Sequence, residues 1–120
     1  MTEVEQLAAF TAAADARRMP PEVLDQLKIR ILDSLACAIG ALEGEPIAYL
    51  RDYVDLMGGR SRCTLIGGGR TAPDRAALFN GALVRYLDYN DSYLAPGETC
   101  HPSDNLAPVL AAAESVQAGG

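Results

Sequence analysis

The residues best suited to acid–base chemistry are concentrated in one segment, Tyr86 to Asn105, which reads YLDYNDSYLAPGETCHPSDN. It contains the only histidine of the chain, His101, and three aspartates, Asp88, Asp91 and Asp104. Carboxylate and imidazole groups can transfer protons to and from a bound anion. Asp88 and Asp91 are three residues apart, so we expect them to share one face of the last turn of a helix. His101 precedes a further helix, whose free N–H groups would favour a bound carboxylate.

The same residues also have ordinary structural interpretations. Ser103 followed by Asp104 is a common helix N-cap sequence, and a lone histidine in a loop is more often a surface residue. A metal site at Asp88, Asp91 and His101 is a third, weaker hypothesis. A metal at Cys100 and His101, with Asp91 or Asp104, is disfavoured because adjacent cysteine and histidine residues do not match the usual ligand spacings. Spacing alone therefore favours a structural role over a catalytic one.

Hydrophobic periodicity predicts that helices position this segment. Thr2 and Glu5 form a capping-box pattern at the first helix, and Pro73 falls in the first turn of the fourth. The second helix has an apolar face wide enough to be buried on more than one side. The five predicted helices cover about residues 3–14, 20–44, 46–57, 73–88 and 103–116.

The remaining segments predict turns and one short extended stretch. Residues 62–66 are rich in β-formers and end at three glycines, whereas residues 89–102 are expected to be an irregular loop that turns at Pro96-Gly97. Gly81, inside the fourth helix, predicts close backbone packing. Asp33 is expected to face solvent and Cys37 to be buried. The predicted fold class is all-α, with about five helices and one short extended segment.

Composition and charge exclude several classes of function. The chain has 120 residues, enough for one domain, and its net charge of −6 disfavours binding to nucleic acid or to anionic membranes. No apolar run is long enough to span a bilayer, and the acidic N-terminus does not resemble a signal peptide. Three cysteines without CxxC spacing predict reduced thiols and a cytoplasmic protein.

Four segments in this order and spacing resemble the MmgE/PrpD family. They are LDSLACAIG at residues 32–40, AALFNG at residues 76–81, LDYNDSY at residues 87–93, and HPSD at residues 101–104 followed by a PVLAAAE helix. The combination covers essentially the whole chain and is specific, although no single segment would be.

The resemblance implies a fold and a class of reaction. Members include 2-methylcitrate dehydratase, cis-aconitate decarboxylase and an epimerase that acts on iminodisuccinate. They act on small polycarboxylates without a cofactor, pair a large helical domain with a smaller α/β lid, and are commonly dimeric. Residues 1–120 would form the N-terminal part of the helical domain. The lid, the remaining helices, and a lysine and a tyrosine of the site would lie outside this stretch.

The resemblance also assigns roles to residues. Asp88 and His101 fall on the family's catalytic positions, and Ser92 falls on its site hydroxyl. Asp91 and Ser103 are further candidates for substrate binding, and no metal is implied. We therefore expect a 2-methylcitrate dehydratase-like lyase, with very weak or no activity in these 120 residues alone. The alternative is a non-catalytic helical module that associates with a partner chain through exposed apolar faces.

Overall fold

The computed structural model describes residues 1–118 and confirms a mainly helical fold. The helices are α1 (Glu3–Ala13), α2 (Pro21–Gly40), α3 (Glu45–Met57), α4 (Pro73–Tyr86) and α5 (Leu106–Ser115). Single turns of 3-10 helix occupy Ala16–Arg18 and Pro102–Asn105. The strands form two antiparallel hairpins, β1 (Cys63–Thr64) with β2 (Arg70–Thr71), and β3 (Tyr93–Ala95) with β4 (Glu98–Cys100).

Local signals set most helix boundaries as expected. The Thr2 side chain accepts from the Glu5 N–H, and the Glu5 side chain accepts in return from the Thr2 N–H, so the predicted capping box is present. Gly58 ends α3 with a φ of +58°, a backbone conformation that glycine adopts at little cost. Pro73 opens α4 in its first turn, as predicted.

Helix α4 lies at the centre of the core, with α2, α3 and α5 packed around it. Its inward face carries Ala76, Phe79, Leu83 and Val84, all of which are buried. On α2, Cys37 is buried as expected, and so is Ala38. The other core residues are Ala38, Ala41, Ile47, Val54, Cys63, Leu65 and Ala111.

The broad apolar surface of α2 is buried on one side only. Ser34, Cys37 and Ala38 face the core, while Leu32 and Ile39 are exposed. The expectation of burial on more than one side is therefore wrong for residues 1–118, since no element in that range covers the second face. Asp33 is exposed as expected. Helix α1 has no buried residue at all.

Asn80 connects α4 to the first hairpin. Its side chain is only 7% exposed, its Nδ2 donates to the Thr64 carbonyl at 2.8 Å, and its Oδ1 accepts from the Ile66 N–H at 2.9 Å. By contrast, the close backbone packing expected at Gly81 is not found. A Cβ at that position would lie 3.8 Å from the Ala107 Cβ, which is an ordinary van der Waals contact.

Three segments differ from the sequence prediction, in addition to α4, which ends at Tyr86 and not at residue 88. Residues 89–102 contain the β3–β4 hairpin, so the prediction of an irregular loop was wrong. Helix α2 ends at Gly40, and a turn follows before α3. Helix α5 begins at Leu106, after the 3-10 turn, and not at Ser103 or Asp104. Within residues 1–118, no helix combines the length and apolarity needed to cross a membrane.

Replacing Asn80 by alanine should lower the free energy of unfolding by about 2–3 kcal/mol. The substitution would leave the Ile66 N–H and the Thr64 carbonyl without their side-chain partner at a part-buried position. Urea denaturation would measure the loss. Leu78→Ala, at an exposed position on the same helix, is the control and should change stability much less. Equal losses in the two variants would contradict this role for Asn80.

Glu114 should make stability depend on pH. Hydrogen bonds from the Thr64 hydroxyl and N–H, both 2.6 Å from its carboxylate oxygens, lower the pKa of Glu114 in the folded chain. The carboxylate therefore stabilises the fold above its unfolded-state pKa of about 4.3, and this contribution disappears as the pH falls through the lower folded-state value.

Urea denaturation of the wild type and of Glu114→Gln would test this. Near neutral pH the variant should be less stable by a few tenths to about 1 kcal/mol, because the hydrogen bonds are exposed. The gap should close below about pH 4. A gap that is independent of pH would show that the charge of Glu114 does not contribute.

Candidate active site

The β3–β4 hairpin brings Ser92 and His101 together. Its register pairs Tyr93 with Cys100, so Ser92 and His101 are the next opposing pair along the two strands. The Ser92 Oγ lies 3.4 Å from the His101 Nδ1. The turn at the other end uses Pro96-Gly97, as predicted, with Gly97 at a φ of +82°. The hairpin thus places two predicted site residues, nine positions apart, side by side.

A backbone hydrogen bond determines which nitrogen of His101 is free. The Nδ1 lies 2.8 Å from the carbonyl oxygen of Asp91. Because a carbonyl oxygen can only accept, Nδ1 must carry the hydrogen. In the neutral ring the lone pair is then on Nε2, which can accept a proton and later donate it. His101 is therefore both oriented and prepared for proton transfer by the chain immediately before β3.

Asp91 also holds the chain that follows the hairpin. Its Oδ1 accepts from the Ser103 N–H at 3.2 Å, which satisfies a free donor at the start of the 3-10 turn. Both Asp91 and Ser103 were predicted to bind substrate, and the structure places them in contact with each other. The side chain of Ser103 is only 6% exposed.

Asp88 does not occupy the predicted position on a helix face. Helix α4 ends at Tyr86, and Asp88 lies beyond it in the left-handed region, with a φ of +56°. Asp88 and Asp91 therefore do not share a helical face. Aspartate tolerates this conformation better than most residues do. The Asp88 carboxylate is exposed, and its Oδ1 lies 2.9 Å from the Nη2 of Arg85.

Arg85 is one of two residues near the site that the sequence did not single out. Besides Asp88, its guanidinium contacts Asp104, with 3.1 Å between Nε and Oδ1. One cation therefore links the end of α4 to the 3-10 turn before α5. The spacing of three residues between Arg85 and Asp88 on a predicted helix was the available signal, but nothing in the sequence indicated the contact with Asp104.

Several buried polar atoms near these residues have no hydrogen-bond partner within residues 1–118. They are the Arg85 Nη1, the Ser103 Oγ and both side-chain amide atoms of Asn90. Such groups are rare in folded proteins because burial without a partner costs free energy. Asn90, which directly precedes Asp91, is a second residue near the site that the sequence analysis did not single out.

A groove of about 390 Å³ runs along the side of the site between α2 and α5. Arg30, Asp91 and Ser103 line it, and most of its wall is apolar, formed by side chains that include Leu27, Ile31, Leu106 and Val109.

The metal hypothesis finds no support in the geometry. In the part of the chain that the structure describes, no three His, Cys, Asp or Glu side chains are arranged to hold a metal ion. Asp88 instead pairs with Arg85, and Asp91 with the Ser103 N–H. Asp88 and His101 are the two predicted catalytic residues. No hydrogen bond within residues 1–118 joins them, because Asp88 contacts Arg85 and His101 contacts Ser92 and the Asp91 carbonyl.

Comparisons with known proteins identify the same family that the four sequence segments indicate. The family model for the MmgE/PrpD N-terminal domain matches residues 5–120. The probable 2-methylcitrate dehydratase of Saccharomyces cerevisiae is 36% identical over 93 residues, which cover 76% of this chain and 18% of that protein. The 2-methylcitrate dehydratase of Salmonella typhimurium is 36% identical over 92 residues, which cover 70% of this chain and 18% of that protein.

A third relative has a differently named substrate. The alkylcitrate dehydratase phiI of a fungal species is 34% identical over 91 residues, which cover 69% of this chain and 17% of that protein. The chain thus spans less than a fifth of the length of the curated relatives that it matches.

Nitrogen-15 NMR of the imidazole should show His101 as the Nδ1–H tautomer in its neutral form. The chain has a single histidine, so the ring signals need no assignment. The Asp91 carbonyl is the physical cause, because it can only accept a hydrogen bond. Ser92→Ala is the matched control and should keep this tautomer, since its hydroxyl is the more distant contact. A dominant Nε2–H tautomer would contradict the geometry.

Proposed function

The chain belongs to the MmgE/PrpD family, and we propose that it is the N-terminal part of the helical domain of a 2-methylcitrate dehydratase-like lyase. The main structural support is the hydrogen bond from the His101 Nδ1 to the Asp91 carbonyl, which leaves Nε2 free for proton transfer. The 2-methylcitrate dehydratases among the relatives support this choice of reaction. The proposal places Asp88 and His101 at the reacting carbons and Ser92 beside the substrate.

The proposed dehydration needs one proton acceptor and one proton donor. A proton is removed from the carbon next to a carboxylate, the C–H electrons form the double bond, and the hydroxyl on the neighbouring carbon leaves as water after gaining a proton. The Asp88 side chain, which is paired with Arg85, is the proposed acceptor of the first proton. His101 delivers the second proton from Nε2 when its ring is the imidazolium, which carries a hydrogen on both nitrogens, and it becomes the neutral Nδ1–H tautomer as the water leaves. These protein groups carry out the reaction without a cofactor.

The charged residues around the site indicate that binding a polycarboxylate needs more positive groups. Three carboxylates lie near the site: Arg85 pairs with Asp88 and Asp104, and Arg30 lines the same groove as Asp91. Arg85 is already shared by two carboxylates. A polycarboxylate would therefore require further positive groups to stabilise its bound and transition states. We propose that residues outside 1–120 supply them and that these 120 residues alone have very low activity.

The exposed apolar faces were the basis of the alternative hypothesis, a non-catalytic module that binds a partner. Val4, Leu7 and Phe10 on α1, with Leu32 and Ile39 on α2, are indeed exposed. The comparisons give the module hypothesis no support, because the relatives described above are named as enzymes. We propose instead that these faces contact other parts of the enzyme, including a second subunit in a homodimer.

The cysteines are consistent with a reducing compartment. Cys37 and Cys63 are buried and Cys100 is exposed, all as free thiols. Burial raises the pKa of Cys37 and Cys63, which keeps both as unreactive thiols. We propose a cytoplasmic location on this basis.

Titration of the 120-residue chain with 2-methylcitrate should shift the His101 ring signals in NMR and reach saturation. We expect a dissociation constant of about millimolar, since one shared cation binds an anion weakly. The double-bonded product, followed by ultraviolet absorbance, should form very slowly or not at all. Turnover typical of an enzyme by this chain alone would contradict the need for further residues.

Variants make this titration specific to the site. In His101→Ala, the shifts of the Ser92 and Ser103 amide signals on adding 2-methylcitrate should be lost. Asp33→Asn removes one negative charge from an exposed position on α2 and should bind as the wild type does. Equal binding by the His101→Ala variant would overturn the proposed function.

A further inference from the structure

We propose that Leu94 and Thr99 form the wall of the site that selects the substrate, with Leu94 contacting the alkyl substituent and Thr99 hydrogen-bonding a carboxylate. This inference rests on the proposed function and deepens it. Neither residue stood out in the sequence. Their role follows from the register of the β3–β4 hairpin.

The register places four side chains on one face. Successive side chains of a strand point to opposite faces, so Ser92 and Leu94 share a face, as do Thr99 and His101. Leu94 is paired directly with Thr99, and Ser92 lies beside His101. The two pairs therefore form one continuous surface. Ser92 and His101 lie at the base of the hairpin, and Leu94 and Thr99 lie two residues closer to its turn.

The distance along this surface suits a small polycarboxylate. Two residues along a strand span about 6.6 Å, roughly the length of a citrate-like molecule. A substrate whose reacting carbons lie at the His101 Nε2 would therefore extend over Leu94 and Thr99. On the opposite face, Tyr93 is paired with Cys100 and points away from the substrate.

The chemistry of the two residues differs in a useful way. Leu94 is 75% exposed and can bury part of its surface against an alkyl group of the ligand. The Thr99 hydroxyl can donate to a carboxylate. Citrate and 2-methylcitrate differ by a single methyl group, so contact with Leu94 should favour 2-methylcitrate by about two- to fourfold.

The test compares citrate with 2-methylcitrate on the 120-residue chain, with the His101 ring signals in NMR as readout. Wild type should prefer 2-methylcitrate, and Leu94→Ala should bring the ratio of the two dissociation constants to about one. Tyr93→Ala, which shortens the neighbouring side chain on the opposite face, is the matched control and should keep the wild-type ratio. Thr99→Val should weaken both ligands by about three- to tenfold without changing the ratio.

Two further measurements separate selection from damage to the hairpin. Leu94→Met keeps a similar apolar volume and should retain the preference. Contacts between Tyr93 and Cys100, observed as cross-strand nuclear Overhauser effects, show whether each variant keeps the hairpin. Should Leu94→Ala lose it, the inference is judged on Leu94→Met and on Leu94→Asn, which keeps the side-chain length but should abolish the preference.

The possible failures are distinguishable. A wild-type chain that binds both acids equally, or a preference that Leu94→Ala and Tyr93→Ala change to the same extent, overturns the role of Leu94. A Thr99→Val variant with wild-type affinities overturns the role of Thr99. If neither acid shifts the His101 signals of the wild type, the proposed function itself fails.

Discussion

The candidate site depends on one residue, Asp91, which holds two separate segments through two different groups. Its backbone carbonyl accepts from the imidazole of His101, and its carboxylate accepts from the N–H of Ser103. The first bond orients the base of the hairpin, and the second fixes the 3-10 turn that leads into α5. His101 and the turn before α5 are therefore both positioned by Asp91.

Helix α4 supports the site and is buried on its inner face. Its buried Asn80 anchors the first hairpin, and Arg85, at its end, contacts the carboxylates on either side of the second. The site residues themselves lie on short and partly exposed segments. This division, a packed helix supporting exposed chemical groups, is a common way to position a functional loop.

The sequence predicted the helices well and the site only in part. The helix periodicity, the capping box at Thr2 and the proline that opens α4 depend on neighbouring residues, so they were readable. The hairpin around Pro96-Gly97 was missed because only three residues pair on each strand and their apolar pattern is weak. The contact between Arg85 and Asp104 joins two separate elements. The contact between His101 and the Asp91 carbonyl depends on the unpredicted hairpin. Neither could be inferred from spacing. Asp88 was misplaced because α4 ends at Tyr86, two residues earlier than its periodicity suggested.

The exposure of α1 has a consequence for how the chain loses its structure. A helix of 11 residues is only marginally stable in water, and α1 buries none of its side chains. Its backbone amides should therefore open independently of the core formed by α2 to α5, as a separate unit of low local stability. The far-ultraviolet circular dichroism signal of the 120-residue chain would report both the opening of α1 and the unfolding of the core. A probe near Phe79 would report only the unfolding of the core. Thermodynamic values for this domain should for that reason come from the core probe.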